Sequence, residues 1–318
     1  PGICGIKIFM GVSTGTLLVS DKTALERIFT ETAGLIAVHA EDEDRMAERR
    51  KLIEGRTDIA AHAYYRDDIT ALMATKLSVE LAHKTGHRLH ILHLTSGIEA
   101  DYLNDHCTLP SVAEGYPIIT TEVLPQHLTF DETDVDEHGV RLQMNPPIRY
   151  AKDREILWQR LVDGTIQCIA TDHAPHTLEA KSKGFPEAPS GMPGVETSLP
   201  VMLNYVSQGR CSIEDVTRWM STNVADCYQM IGKGKLEVGY DGDVVLVDMD
   251  YRAVVEDKNC WARVGWNPFR GRELTGWPVL TVVDGIPVFE RSAGTGQKGR
   301  LLVKPGSVGK PLLMEPWK

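Results

Sequence analysis

No two cysteines stand in CxxC spacing. The six, Cys4, Cys107, Cys168, Cys211, Cys227 and Cys260, are scattered along the chain. That pattern excludes a zinc knuckle and gives no disulfide framework; several sit in apolar runs and read as reduced core thiols, which fits a cytoplasmic setting. Positive charge is also short. With 34 Lys and Arg against 44 Asp and Glu, the formal charge is −10, and the clustered cations that a nucleic-acid partner requires are missing. No apolar run approaches the ~20 residues of a membrane span. There is no initiator Met and no basic-then-apolar leader. Pro1-Gly2-Ile3-Cys4 runs straight into an apolar stretch, so the start reads as a cut. One GxGxxG string occurs, Gly294-Thr295-Gly296-Gln297-Lys298-Gly299. No helix follows it and no βαβ unit contains it, which rejects a dinucleotide site.

The 318 residues suffice for one large domain and a small one, and 42% hydrophobic with 25% charged residues is ordinary for a globular core. Apolar, β-rich runs alternate with helical periods. The pattern predicts strands at 3–10, 35–40, 90–95, 117–122 and 166–171. Between them it predicts helices at 21–32 (capped by Ser20), 44–54, 68–85, 98–104 and 153–163. Near-continuous apolar strands separated by helices imply βα units in a parallel sheet covered on both faces. Residues 176–194 are aperiodic and rich in Gly, Pro, Ser and Lys, a length that in a compact domain is usually functional or disordered. Helices at 196–207 and 212–231 follow. From Lys235 the pattern changes to short strands at 244–247, 253–255, 279–283 and 286–289, with Asp284-Gly285 as a hairpin turn. The expected division is five βα units over 1–232, a small β domain over 233–291 and a tail over 292–318.

The chemistry sits at the strand ends. Lys7 lies in the first strand, His39 ends the second, His93 ends the third and Asp172 ends the fifth. In a (β/α)8 barrel these ends meet at one face. Two histidines and a carboxylate are a zinc-type set. A cationic lysine would repel a metal, but burial lowers its pKa, and the neutral amine adds carbon dioxide to give a carbamate suited to bridging two metal ions. Each residue alone has a plainer reading: a snorkelling lysine, a hydrogen-bonded histidine, a helix-capping aspartate. The coincidence of four at corresponding ends favours the site. His90 and His93 point to opposite faces by strand parity, and His93 is nearer the C-terminal end. His62, His83, His87, His106 and His138 are expected at the surface; His127 is left open.

These residues resemble class I dihydroorotases of the amidohydrolase superfamily. The motifs are Gly5-Ile6-Lys7-Ile8-Phe9-Met10-Gly11 with Ser13-Thr14-Gly15, Val38-His39-Ala40-Glu41 and Leu89-His90-Ile91-Leu92-His93-Leu94. They continue with Thr121 to Leu128, Met144-Asn145-Pro146-Pro147-Ile148-Arg149, Thr171-Asp172-His173-Ala174-Pro175-His176 and Gly194-Val195-Glu196-Thr197. The resemblance implies an α/β fold, a (β/α)8 TIM-like barrel of which strands 4 to 8 are present, with a small C-terminal β-sandwich. It implies two zinc ions, with Lys7 as the carbamylated bridge, His39 and His93 as ligands of the second metal, and Asp172 as both ligand and general acid/base. Asn145, His176, Ser190 and Gly191 match substrate-holding positions, and Glu122 matches a bracing one. The implied reaction is the reversible hydrolysis of L-dihydroorotate to N-carbamoyl-L-aspartate in pyrimidine synthesis, by a zinc-bound hydroxide. A homo-oligomer is compatible with this. The family's His-x-His pair and following arginine, on its first strand, do not occur here, so the chain as given is expected to be inactive alone. A hydantoinase or allantoinase, and a non-catalytic dihydroorotase-like subunit, stay open as alternatives.

Overall fold

A computed structural model describes residues 3–13, 17–107, 112–113, 116–292 and 297–315. Thr14 and Gly15 of the first motif, and Gly294, Thr295 and Gly296 of the glycine string, lie outside the described residues. The strands are β1 (Ile6–Phe9), β2 (Leu35–His39), β3 (Arg88–Leu94), β4 (Val112–Ala113), β5 (Tyr116–Pro117), β6 (Ile119–Val123) and β7 (Cys168–Ile169). After the helices at 198–227 come β8 (Val244–Val254), β9 (Glu273–Val283), β10 (Ile286–Glu290) and β11 (Arg300–Leu301).

Five of these strands form one sheet in the order β1-β2-β3-β6-β7, and all four pairings are parallel. Each neighbour is reached through helical crossovers, as parallel pairing requires. Every residue of β2 and of β6 is buried, including Thr120, Thr121 and Glu122 of β6. The sheet is open among the described residues and supplies five of the eight strands of a (β/α)8 barrel. A core of Ile36, Val38, Leu89, Ile91, Ile119 and Val123 with helix residues Leu25, Phe29, Leu157 and Trp158 holds the helices to it.

Local chemistry explains the boundaries. The helix Lys22–Glu31 is capped by Asp21, whose carboxylate accepts from the Ala24 N–H, rather than by Ser20 as expected. Asp shares the N-cap preference of Ser and stands one residue closer. The helix Asp68–Thr85 matches its expected bounds. Asp67 caps its start, and Gly86, in the left-handed region, ends it. The expected long helix over 212–231 is instead two short α-helices joined by a π-helical turn at Arg218–Thr222.

The C-terminal region builds one four-stranded antiparallel sheet, β11-β10-β9-β8. The two strands expected at 244–247 and 253–255 are a single strand, β8, whose register against β9 shifts at two places. Leu274 and Trp277 on β9 join a second core with Phe130, Trp266 and Phe269, which anchors this sheet beside the parallel one.

The 176–194 segment is pinned rather than loose. Lys181 is 1% exposed, and its Nζ donates to the Gln143 and Pro189 carbonyls, both at 2.9 Å. Burial pulls the Lys181 amine down to about 7. A neutral amine keeps two N–H donors, enough for both carbonyls. The unfolded chain holds this proton to about pH 10.5, so stability should rise with pH between about 7 and 10.5. Denaturant midpoints at pH 7 and 9.5 test this. Lys181→Met should flatten the rise; an unchanged pH slope in the variant would assign the rise to other groups.

Candidate metal centre

At the C-terminal ends of β2 and β3 two imidazoles meet. His39 Nδ1 and His93 Nε2 are 3.1 Å apart, with ring planes 75° from parallel. In a tetrahedral zinc centre with bonds of about 2.0–2.1 Å, two donor nitrogens stand roughly 3.3 Å apart. The pair therefore has the spacing of two ligands of one ion. The other nitrogen of His39, Nε2, lies 2.8 Å from Glu41 Oε2. This carboxylate fixes the tautomer: Nε2 carries the proton and Nδ1 presents its lone pair. Burial, with His39 and Lys7 beside it, holds the His93 imidazole well below its usual pKa, in the neutral form a metal needs.

Parity alone does not aim His93. The β3–β6 register shifts between Ile91 and Leu94, and His93 has φ +38°. A bulge of this kind re-aims a side chain. His90 faces elsewhere, bonded to Thr120 and Glu122 and against Cys227. Glu122 joins the two histidines: its Oε2 meets His90 at 3.0 Å and its Oε1 accepts from the His93 backbone N–H at 3.3 Å.

Asp172 has φ +40°. With His93 it is one of four non-glycine residues at positive φ among the described residues. Such conformations cost of order 1–3 kcal/mol and concentrate at functional sites. Burial raises the Asp172 carboxyl pKa, and Lys7 and His39 oppose that rise. The four strand-end residues thus share one neighbourhood. Among the described residues, however, no three His, Cys, Asp or Glu side chains close into a metal-holding group. Asp172 lies near enough to Lys7 and His39 for their charges to act on its carboxyl. Lys7 is exposed, with its Nζ 4.7 Å from the Phe9 ring centre. The burial assumed for it in the sequence is not found.

The residues expected to hold substrate lie on neighbouring loops. His176 Nε2 lies 3.0 Å from the Ser190 carbonyl. Gly191 has φ +131°, and a Cβ there would meet the Ala174 carbonyl oxygen at 2.5 Å, so only glycine fits. Its N–H donates to the Gln143 carbonyl at 2.9 Å. Asn145 is 8% exposed and its Oδ1 has no partner.

Sequence reasoning missed the supporting network. His62, expected at the surface, is 4% exposed, with Nε2 3.0 Å from the Met144 carbonyl and its ring against Tyr65 and Phe185. The helix Ala60–Tyr65 that buries it is too short to show a clear period. Glu41 pairs with Arg66, and both are buried. Burial alone would raise the Glu41 carboxyl, but Arg66 and the His39 hydrogen bond outweigh it and hold it at about 2. Arg149 is 4% exposed and donates to Thr95 and to the Arg66 carbonyl. His127 is buried and neutral, with burial pulling it down to about 3.

The sequence profile of the amidohydrolase family matches residues 5–288, and the chain belongs to that family. Its curated relatives include dihydroorotases. That of Halobacterium salinarum is 34% identical over 299 residues, 92% of this chain and 67% of the relative. That of Pyrococcus horikoshii is 30% identical over 95% of this chain and 64% of the relative. Among solved structures, the L-hydantoinase (dihydropyrimidinase) from Arthrobacter aurescens aligns with TM-score 0.86 at 30% identity, covering 95% of this chain and 67% of that one. The chain spans about two thirds of the length of these relatives. No helix among the described residues is long and apolar enough to cross a membrane.

Proposed function

We propose that this chain carries the greater part of the catalytic site of a dihydroorotase, the enzyme that interconverts L-dihydroorotate and N-carbamoyl-L-aspartate. The observation that carries the reading is the His39–His93 pair, braced by Glu41, next to a half-buried Asp172. His39 Nδ1 and His93 Nε2 would hold one zinc ion of a pair. Lys7, once enclosed and neutral in the full-length protein, would take up carbon dioxide and offer the metals an anionic carbamate. Zinc supplies Lewis acidity that polarises the ring amide carbonyl and acidifies water. Asp172, its affinity for a proton raised by burial, takes the proton of the attacking water and delivers it to the leaving ring nitrogen. Asn145, His176 and the Ser190-Gly191 backbone hold the ring and its carboxylate. Residues 1–232 carry this chemistry and 233–291 pack beside it as a small β domain; the expected tail is corrected, since Arg300–Leu301 pairs with β10 as part of that sheet. The substrate is a small molecule, the setting cytoplasmic, and a homo-oligomer is compatible with the fold.

Hydantoinase activity is the second reading, because the solved relatives named above include an L-hydantoinase. The identity of the curated dihydroorotases over almost the whole chain favours dihydroorotate. The natural full-length protein, loaded with zinc, should turn over L-dihydroorotate faster than hydantoin or allantoin under the same conditions. Faster turnover of either neutral ring would reject the substrate and leave the metal-centre reading standing.

A further inference from the structure

The loop between β8 and β9, residues 255–272, reaches from the small sheet to the segment that carries His176. Two backbone bonds close its base: the Val255 N–H donates to the Arg272 carbonyl at 2.9 Å, and the Gly271 N–H to the Val255 carbonyl at 2.8 Å. Within it, Asp257 Oδ1 accepts from the Asn267 N–H at 3.0 Å, and Asn267 Oδ1 accepts from the Phe269 N–H at 3.0 Å. Phe269 stacks on Phe130, with ring centres 4.8 Å apart. A loop tied at its base, within itself and into a core is rigid, and rigid elements are what hold a functional side chain in place.

This loop grips the His176 segment at both ends. At the start, the fully buried Trp266 donates its Nε1–H to the His176 backbone carbonyl at 2.8 Å. At the far end, Glu196 accepts from the Trp261 N–H at 2.9 Å, and the Asn267 amide donates to Thr197 Oγ1 at 3.2 Å. An indole has a single donor, and here it is spent on the segment rather than on its own sheet. The His176 ring meets the Ser190 carbonyl at 3.0 Å. His176 is therefore held twice: by its ring within the segment, and by its backbone from the loop of the small sheet.

We propose that the 255–272 loop is the brace that positions His176, with Trp266 as the positioning residue acting through the His176 backbone. The small β domain thereby takes part in substrate affinity without lining the site. That the His176 imidazole holds a ring carboxylate rests on the dihydroorotase reading; the brace itself rests on the contacts of Trp266, Glu196 and Thr197.

The test compares the natural full-length, zinc-loaded protein with two variants. Trp266→Phe keeps a ring in the core and removes the one donor; Glu196→Ala, at a half-buried position, releases the far end. Hydrogen exchange should show the amides of residues 174–192 opening about 5-fold more often in both variants, the order expected for one hydrogen bond, with β2 and β3 unchanged. In turnover of L-dihydroorotate, Trp266→Phe should raise KM by about 5-fold and leave kcat within about 2-fold. In a His176→Ala background the same change should move KM by less than about 2-fold, because the brace has nothing left to position. A residue needed only for folding would instead lower kcat and metal content, and its effect would add to that of His176→Ala. Unchanged exchange of 174–192 in a folded Trp266→Phe protein, or KM effects that add, would overturn the proposal. If Trp266→Phe does not fold, unchanged exchange in Glu196→Ala overturns it. No dihydroorotate turnover by the unaltered protein would reject the substrate reading, and the exchange comparison would still decide the brace.

Discussion

Asp172→Asn should lower kcat for dihydroorotate by about 10²- to 10⁴-fold in the zinc-loaded, full-length protein, the range lost when a positioned acid/base group is removed. Asparagine keeps the shape and an oxygen donor but cannot take a proton. It also tolerates the left-handed backbone that Asp172 adopts at φ +40°, so the fold should survive. The control is metal content, which should stay within a factor of two of the unaltered protein by about the same assay error in any site that keeps its oxygen donor. A kcat within about 3-fold of normal would remove Asp172 from the proton-transfer role.

Glu41→Ala should be the most damaging change to stability. Glu41 is fully buried and bonded to both Arg66 and His39. Removing it leaves the Arg66 guanidinium, itself 2% exposed, without a counter-charge. Breaking one partner of a buried pair costs about 3–5 kcal/mol. Urea unfolding should show that loss as a lower midpoint with an unchanged slope. The same variant should bind zinc more weakly, because His39 loses the group that fixes its tautomer. A midpoint shift worth under about 1 kcal/mol would mean that Arg66 finds another partner or is hydrated in the folded state.

The parts of this account legible in the sequence are those set by short-range pattern. Strand and helix alternation located all five parallel strands, most plainly β2, because strands buried on both faces write themselves as apolar runs. The helix Asp68–Thr85 was legible to its ends because Asp67 and Gly86 are local signals. Strand position also pointed to His39 and His93, whose rings meet at the ends of β2 and β3. What stayed hidden depends on contacts across the chain. Glu41 meets Arg66 across 25 residues, and His62 meets Met144 across 82. No periodicity encodes either. The bulge that turns His93 was equally invisible, since no glycine or proline in Arg88–Leu94 marks it. Lys7 shows the opposite failure: its run looked fully buried, yet it stands exposed at the edge strand β1.

The central claim is that His39 and His93 together hold a metal ion. Zinc binding should be measured by competition with a chromogenic chelator, on the unaltered full-length protein and on His93→Ala. The account predicts tight zinc binding by the first and, in the second, an affinity for one zinc equivalent weakened by more than about 100-fold, from the loss of a direct ligand where even an outer hydrogen-bond partner is worth 10- to 100-fold. Equal zinc stoichiometry and affinity in the two proteins would contradict it, and would make the 3.1 Å contact between these histidines an ordinary hydrogen bond.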